Sequence, residues 1–230
     1  MTSEPPAPVP SAPESSVPVP VPVPSAPVPS GLRERKKERT RQALSDAAVA
    51  LFLEKGFDAV SVAEVAAAAE VSKPTLFRYF PAKEDLVLHR FADHEDEAAR
   101  VVAAGRLAGT APLDALYAHL LDGLGRQDPV TGLCDHPAVL AYHRLLYGTP
   151  ALVARLHGYR GRSEAALAEA LGGDPLDARI AAGQIVAVLR VLAEENTARI
   201  AGGETAGEVA ADAVAAAGRA FRALREGLPY

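Results

Sequence analysis

The chain has 230 residues, with 24 Lys and Arg against 29 Asp and Glu for a formal net charge of −5, no Trp and a single Cys. Eleven of its 19 prolines fall in the first thirty residues; the rest, rich in Ala, Leu and Val, is long enough to bury a core and too helix-prone for an all-β fold. One thiol, Cys134, excludes an internal disulfide and a zinc site of several thiolates. The opening MTSEPPAPVP lacks the basic and apolar regions of a secretory signal, and no apolar run reaches the ~20 residues of a membrane span. A cytoplasmic protein without membrane contact is expected.

Residues 1–32 read as a Pro/Val-rich arm. Repeated Val-Pro fixes φ, removes amide donors and pushes each preceding residue to extended geometry, so a disordered or polyproline-II-like spacer is expected. Charge then changes along the chain. Residues 1–30 carry −2, residues 31–90 carry +2 and the remainder carries −5, so overall acidity hides a basic patch. Six bases, Arg33, Arg35, Lys36, Lys37, Arg39 and Arg41, lie within nine residues. Cations so placed can displace counterions from DNA phosphates, and Arg39 and Arg41 are candidates for that role.

From Glu34 the pattern turns helical. Leu44, Ala48, Leu51 and Phe52 mark one inner face, and Gly56 after Lys55 suits a helix end. Ser61 with Glu64 predicts a capping box for a second helix with Val62, Val65, Ala66 and Ala69 on one side. Ser72 predicts the cap of a short third helix, with Pro74 in its first turn, ended by Phe80-Pro81. Lys83-Glu84-Asp85-Leu86 opens a longer helix. Segments 112–126, 137–147, 150–171, 175–201 and 205–226 follow, punctuated by Gly and Pro.

Two short helices joined by a tight break, with bases upstream, match a helix-turn-helix, whose second helix enters the major groove. At helical spacing Leu76 and Phe80 share one side of the third helix; Pro74, Thr75 and Arg78 fall on the other. Arg78 can bridge guanine O6 and N7, Thr75 can reach a phosphate or base edge, and Pro74 offers apolar contact to a thymine methyl. Lys73 and Tyr79 are placed for backbone phosphates, as are Ser61 and Lys83 at helix starts.

Residues 40–90, and GFDAVSVAEVAAAAEVSKPTLFRYFPAKEDLVL above all, resemble the DNA-binding region of TetR-family transcriptional regulators. The resemblance implies an all-α homodimer: an N-terminal three-helix DNA-binding domain with a helix-turn-helix (33–82), and a C-terminal helical bundle for effector binding and dimerisation (83–228). It sets Ser61, Lys73, Pro74, Thr75, Tyr79 and Lys83 on family DNA-contact positions. Three residues depart from the pattern: Glu70 where a turn glycine is common, Phe77 for a tyrosine whose hydroxyl seeks phosphate, and Ala82 for a capping serine. The function implied is sequence-specific regulation, a repressor released from a palindromic operator by a small apolar or amphipathic effector. The alternatives are an effector-independent DNA-binding regulator and a helical small-molecule-binding protein or enzyme.

For the effector, polar residues on apolar helices are the candidates: Tyr117, His119, Tyr142, His143, Tyr147, Gln184, Arg190 and Asn196. The stretch AYHRLLYGTPALVARLHGYRGRSEAALAEAL resembles TetR relatives associated with acyl-CoA-like ligands. Small-residue faces on the last two helices, Ala181, Gln184, Ile185, Val188 and Leu192, then Val209, Ala213, Ala216, Ala220 and Leu224, are the expected dimer surface. No G-x-S-x-G, Walker A, H-E-x-x-H or complete G-x-G-x-x-G occurs, so neither enzyme nor cofactor is expected. His89, Asp93 and Glu97 at four-residue spacing and the run Cys134-Asp135-His136 read as a charged helix face and a loop turn rather than metal or nucleophile sites.

Overall fold

The computed structural model describes residues 31–92 and 94–227; the arm through residue 30, and Asp93, lie outside them. The described residues are helical, with no strand among them. α1 (Leu32–Lys55), α2 (Val62–Ala68), α3 (Lys73–Tyr79) and α4 (Lys83–Ala92) come first. α5 (Glu97–Leu107), α6 (Pro112–Gly125), α7 (Pro137–Gly148), α8 (Pro150–Leu171), α9 (Pro175–Ala201) and α10 (Ala206–Glu226) follow, with a 3-10 turn at Pro129–Thr131.

Local chemistry sets the boundaries. Gly56 closes α1 at φ 89°, which an L side chain rarely adopts. The capping box of α2 forms in both directions: the Ser61 amide donates to Glu64 Oε2 at 2.8 Å, and the Glu64 amide to Ser61 Oγ at 3.2 Å. Ser72 Oγ accepts the Thr75 amide at 3.2 Å and starts α3. α10 begins with the same reciprocal arrangement, between Thr205 and Glu208.

The helix opening at Lys83 is longer than α3, as the sequence suggests. It stops at Ala92, and a turn through His94 and Asp96 separates it from α5.

Two cores result. The first holds Leu44, Ala48, Phe52, Val65, Leu76 and Phe80 together with Leu86, Val87 and Leu88 of α4, and it continues into Tyr142 and Leu146 of α7 and Leu152 and Leu156 of α8. Leu51 packs at its margin. The second joins α5, α6, α8, α9 and α10 around Val102, Leu116, Leu167, Ile185, Val209 and Phe221. α4 therefore shares its apolar face with the helix-turn-helix unit, although the sequence reading starts the second domain at residue 83. Among the described residues, no helix is long and apolar enough to cross a membrane.

Candidate nucleic-acid interface and ligand cavity

α3 is held by one buried edge. Leu76 is 0% exposed and Phe80 4%; burying two such side chains contributes about 1.5–3 kcal/mol each. That anchorage turns Lys73, Pro74 and Arg78 to solvent, with Thr75 and Tyr79 half-buried beside them. Phe77 is exposed as well, with Lys73 Nζ 5.9 Å from its ring, and the Arg78 guanidinium lies 5.6 Å from the Tyr79 ring. Glu70, in the turn, takes the left-handed conformation at φ 54° that a glycine would favour.

Ser61 is exposed, but its side chain is engaged in the capping box. Lys83 points inward: its ammonium donates to the Phe57 carbonyl and sits 4.3 Å from the Phe57 ring and 5.2 Å from Phe52. Its reach to phosphate is spent on clamping α4 to the helix-turn-helix core. Arg39 is exposed on α1, whereas Arg41 is half-buried, 4.0 Å from Glu38.

α4 links this unit to the bundle at several points. Ser45 Oγ donates to Leu86 O at 2.8 Å, and Tyr142 Oη of α7 donates to Val87 O at 2.7 Å. Asp85, read from the sequence only as part of a helix start, receives Arg155 of α8 in two hydrogen bonds of 2.8 and 3.0 Å and also accepts the Ala82 amide at 3.2 Å. The Ala82 bond restores half of the cap that Ala82 itself cannot make. Nothing local in the sequence marks Arg155 as the partner, since the two residues are 70 positions apart.

Behind the α4–α5 turn lie two adjoining chambers of about 100 and 250 Å³. Phe91, His94, Asp128, Val130, Tyr147 and Ala193 border both. The smaller is walled by Phe91, Val139, Tyr142, His143 and Tyr147, and Phe91 and Tyr142 stack 6.2 Å apart. The larger adds Leu116, Leu120, Leu156 and Leu189, with His119, Tyr159 and Arg190 among its polar groups.

Of the candidate ligand residues, the structure brings together His119, Tyr142, His143, Tyr147 and Arg190. The other three lie apart from both chambers. Tyr117 packs on Phe221 of α10 with ring centroids 5.2 Å apart, Gln184 faces outward from α9, and buried Asn196 donates to Thr131 O at 2.9 Å. They share apolar helices with the cavity but not its side, because the helical period turns each toward a different neighbour.

Titratable groups in the wall perturb one another. Burial pushes the Glu97 carboxyl up, but hydrogen bonds from His119 and His94, at 3.2 and 2.8 Å, outweigh it and hold it well below the usual carboxylate range. The same contact with Glu97 raises His119. Burial lowers His143 and raises Tyr142 and Tyr147. Among the described residues no group of His, Cys, Asp and Glu is arranged to hold a metal ion.

A short capped helix with a buried inner edge and an exposed basic outer edge, preceded by a second capped helix and a left-handed turn, defines a helix-turn-helix protein whose α-helical bundle encloses a cavity. Residues 44–89 match the model of the bacterial regulatory proteins of the tetR family. TcmR of Streptomyces glaucescens, an HTH-type transcriptional regulator, is 38% identical over 135 residues, which make up 58% of this chain and 58% of TcmR. The match thus spans less than two thirds of that relative. YdeS of Bacillus subtilis (strain 168), an uncharacterized HTH-type transcriptional regulator, is 41% identical over 56 residues, 24% of this chain and 28% of YdeS. Among solved structures, native NalD, the secondary repressor of the MexAB-OprM multidrug efflux pump in Pseudomonas aeruginosa, superposes with a TM-score of 0.53 at 20% identity. The superposition covers 80% of this chain and 96% of NalD and is a likeness of fold.

Proposed function

We propose that the chain is a homodimeric, sequence-specific DNA-binding regulator, a repressor whose hold on a palindromic operator is released by a small molecule in the helical cavity. The observation that carries this reading is α3, buried along Leu76 and Phe80 and bare along Lys73, Pro74 and Arg78. Arg78 reads guanine, Pro74 and Thr75 lie against neighbouring base edges, and Lys73, Tyr79, Ser61, Arg39 and Arg41 meet phosphates. Lys83 joins them only if its ammonium leaves the Phe57 carbonyl.

One α3 reads too few base pairs for an address, and two-fold pairing supplies the second half-site. An apolar stripe left uncovered supports the pairing: Leu176, Ile180 and Val191 of α9 and Val214 of α10 are 62%, 52%, 53% and 43% exposed. This stripe is rotated from the face the sequence pattern suggests, because Ile185, Val209 and Ala213 are used up in the chain's own core. Release follows from α4, which ends in the cavity wall at Arg90 and Phe91 and begins on the helix-turn-helix core. A ligand that fits one setting of α4 better than another shifts the spacing of the two α3 helices through its differential affinity.

The test is a gel-shift series on DNA flanking the chain's own gene, with Arg78→Ala alongside. Loss of about 1–3 kcal/mol of specific binding in the variant, with non-sequence-specific binding retained, is expected for a guanine-reading arginine. Salt-sensitive binding that ignores sequence and is unchanged in Arg78→Ala overturns the reading.

A further inference from the structure

We propose that the smaller chamber is an anion subsite: Arg90 and His143 take the carboxylate of an aromatic acid, and in doing so Arg90 gives up its bond to Asp46 of the DNA-reading unit. The assignment deepens the effector reading above and rests on it. Four buried side-chain nitrogens among the described residues lack a hydrogen-bond partner: Arg41 Nε, His89 Nε2, Arg90 Nε and His143 Nδ1. The first two have Glu38 close by, 4.0 Å from Arg41 and 3.2 Å from His89. The other two belong to residues that border the smaller chamber. They also share one neighbour, since the Arg90 guanidinium lies 5.6 Å from the Tyr142 ring and the His143 ring 6.3 Å from it. Tyr142 Oη is turned to Val87 O at 2.7 Å and serves neither.

A guanidinium nitrogen donates and never accepts, so the group that completes Arg90 is an acceptor, and an ammonium is excluded. Burial lowers the His143 pKa, so its ring is neutral at pH 7 and Nδ1 is able to donate to the same oxygens. A buried donor left unpaired is costly, and a charge-assisted bond to a carboxylate offsets that cost better than a neutral acceptor does. Asp128 borders the same chamber, but its charge is met by the Val130 amide at 3.1 Å and by Arg126 at 3.5 Å. Phe91, Tyr142 and Tyr147 supply aromatic walls, and the adjoining chamber of about 250 Å³ gives the body of the acid room. That larger chamber has a positive surplus of its own where Arg160 and Arg190 share Glu194, but both guanidiniums are partly exposed and water already serves them.

The free Nε sits on a side chain that is engaged elsewhere. Arg90 Nη2 donates to Asp46 Oδ1 of α1 at 2.8 Å, so drawing the guanidinium into the chamber stretches or breaks that bond. Asp46 loses little by it. Its carboxylate is half-exposed and also accepts from Gln42 Nε2 at 2.8 Å. The exchange therefore favours the ligand, and it detaches a contact between α4 and α1 at the edge of the helix-turn-helix unit.

The experiment titrates benzoate, 2-naphthoate and biphenyl-4-carboxylate into the full chain by calorimetry at neutral pH and low salt, each beside its primary carboxamide. The same molecules are added to the DNA complex in the gel shift. The expected result is an acid that binds about ten-fold or more tightly than its amide. Arg90→Gln is expected to lower the affinity of that acid about ten-fold and to leave that of the amide within about two-fold. Its thermal melt reports whether it folds, and the native ranking stands as a test without it. Asp46→Asn, at a half-exposed position, weakens the competitor for Arg90 and is expected to raise acid affinity about three-fold. Acids that bind no more tightly than their amides, or not at all, overturn the assignment. So do a folded Arg90→Gln chain that keeps its acid affinity, an Asp46→Asn chain with no gain, and a larger loss in Arg190→Gln, which moves the anion to the larger chamber. The two claims fail separately. Release of DNA by amides and not by acids keeps the effector reading and removes the anion subsite; tight, Arg90-dependent acid binding that leaves the DNA complex intact does the reverse.

Discussion

Asp85→Asn removes the charge from the group that ties α4 to α8. The buried carboxylate accepts two hydrogen bonds from Arg155 and one from the Ala82 amide. Hydrogen bonds to a charged group contribute about 1.5–3 kcal/mol. Arg155 is half-exposed, which screens its side of the pair and moves the figure to the low end of that range. The asparagine oxygen still accepts one bond, so the net loss is about 1.5–2 kcal/mol, or about 3–8 °C in Tm for a chain of this size. The assay is thermal melting by far-UV circular dichroism at fixed protomer concentration, because dimerisation alters apparent stability. Arg155→Gln and the double variant complete the cycle, and residues in direct contact should show a coupling of at least about 0.5 kcal/mol. A melt of Asp85→Asn within 1 °C of native, or strict additivity in the cycle, refutes the idea that this pair struts α4.

Other substitutions probe other links. His119→Gln is expected to lower Tm more at pH 6 than at pH 8.5: a raised imidazole pKa contributes stability that is present below its unfolded value and lost as pH climbs through the folded one. Equal losses at both pH values in the melts would remove the imidazole–carboxylate contact as a stabilising element. Glu97 acts in the opposite sense, its stabilisation being present above the ordinary carboxyl pKa and lost on acidification, so Glu97→Gln should flatten the acid limb of a stability-versus-pH curve. Gly132→Ala is expected to be strongly destabilising, since at φ 73° an added Cβ lies 2.0 Å from the Ala193 carbonyl oxygen; unchanged thermal stability would contradict that packing. Glu70→Gly should stabilise by about 0.5–1 kcal/mol in chemical denaturation, the relief of a left-handed non-glycine less the added chain entropy, and a loss of stability would count against strain there.

Local chemistry was legible in the sequence. Ser61 with Glu64, Ser72 before a proline and Phe80 before Pro81 each declare a helix boundary within a few residues, and Leu76, Arg78 and Phe80 sort themselves by period alone. What depended on distant partners was not. The Lys83 ammonium goes to Phe57 and the Asp85 carboxylate to Arg155, and neither choice has a signature along the chain. The C-terminal helices were readable in position but not in rotation. When α9 and α10 are rich in Ala on several sides, hydrophobic periodicity does not single out which stripe is buried within the subunit, and Ile185 and Val209 took the inner side while Leu176 and Ile180 took the outer. The cavity gathered five of eight polar candidates for the same reason: helix identity was clear, facing was not.

The hydrophobic cluster that runs from Phe52 through Leu86 to Tyr142 and Leu156 belongs to both halves of the molecule at once. Severing the chain after the DNA-reading unit would therefore strip side chains from that cluster, and the fragment is expected to lose its cooperative melting transition. Amide hydrogens of α1 and of α8 should then exchange through one shared opening reaction, making the protein a single foldon across the boundary where its two tasks meet.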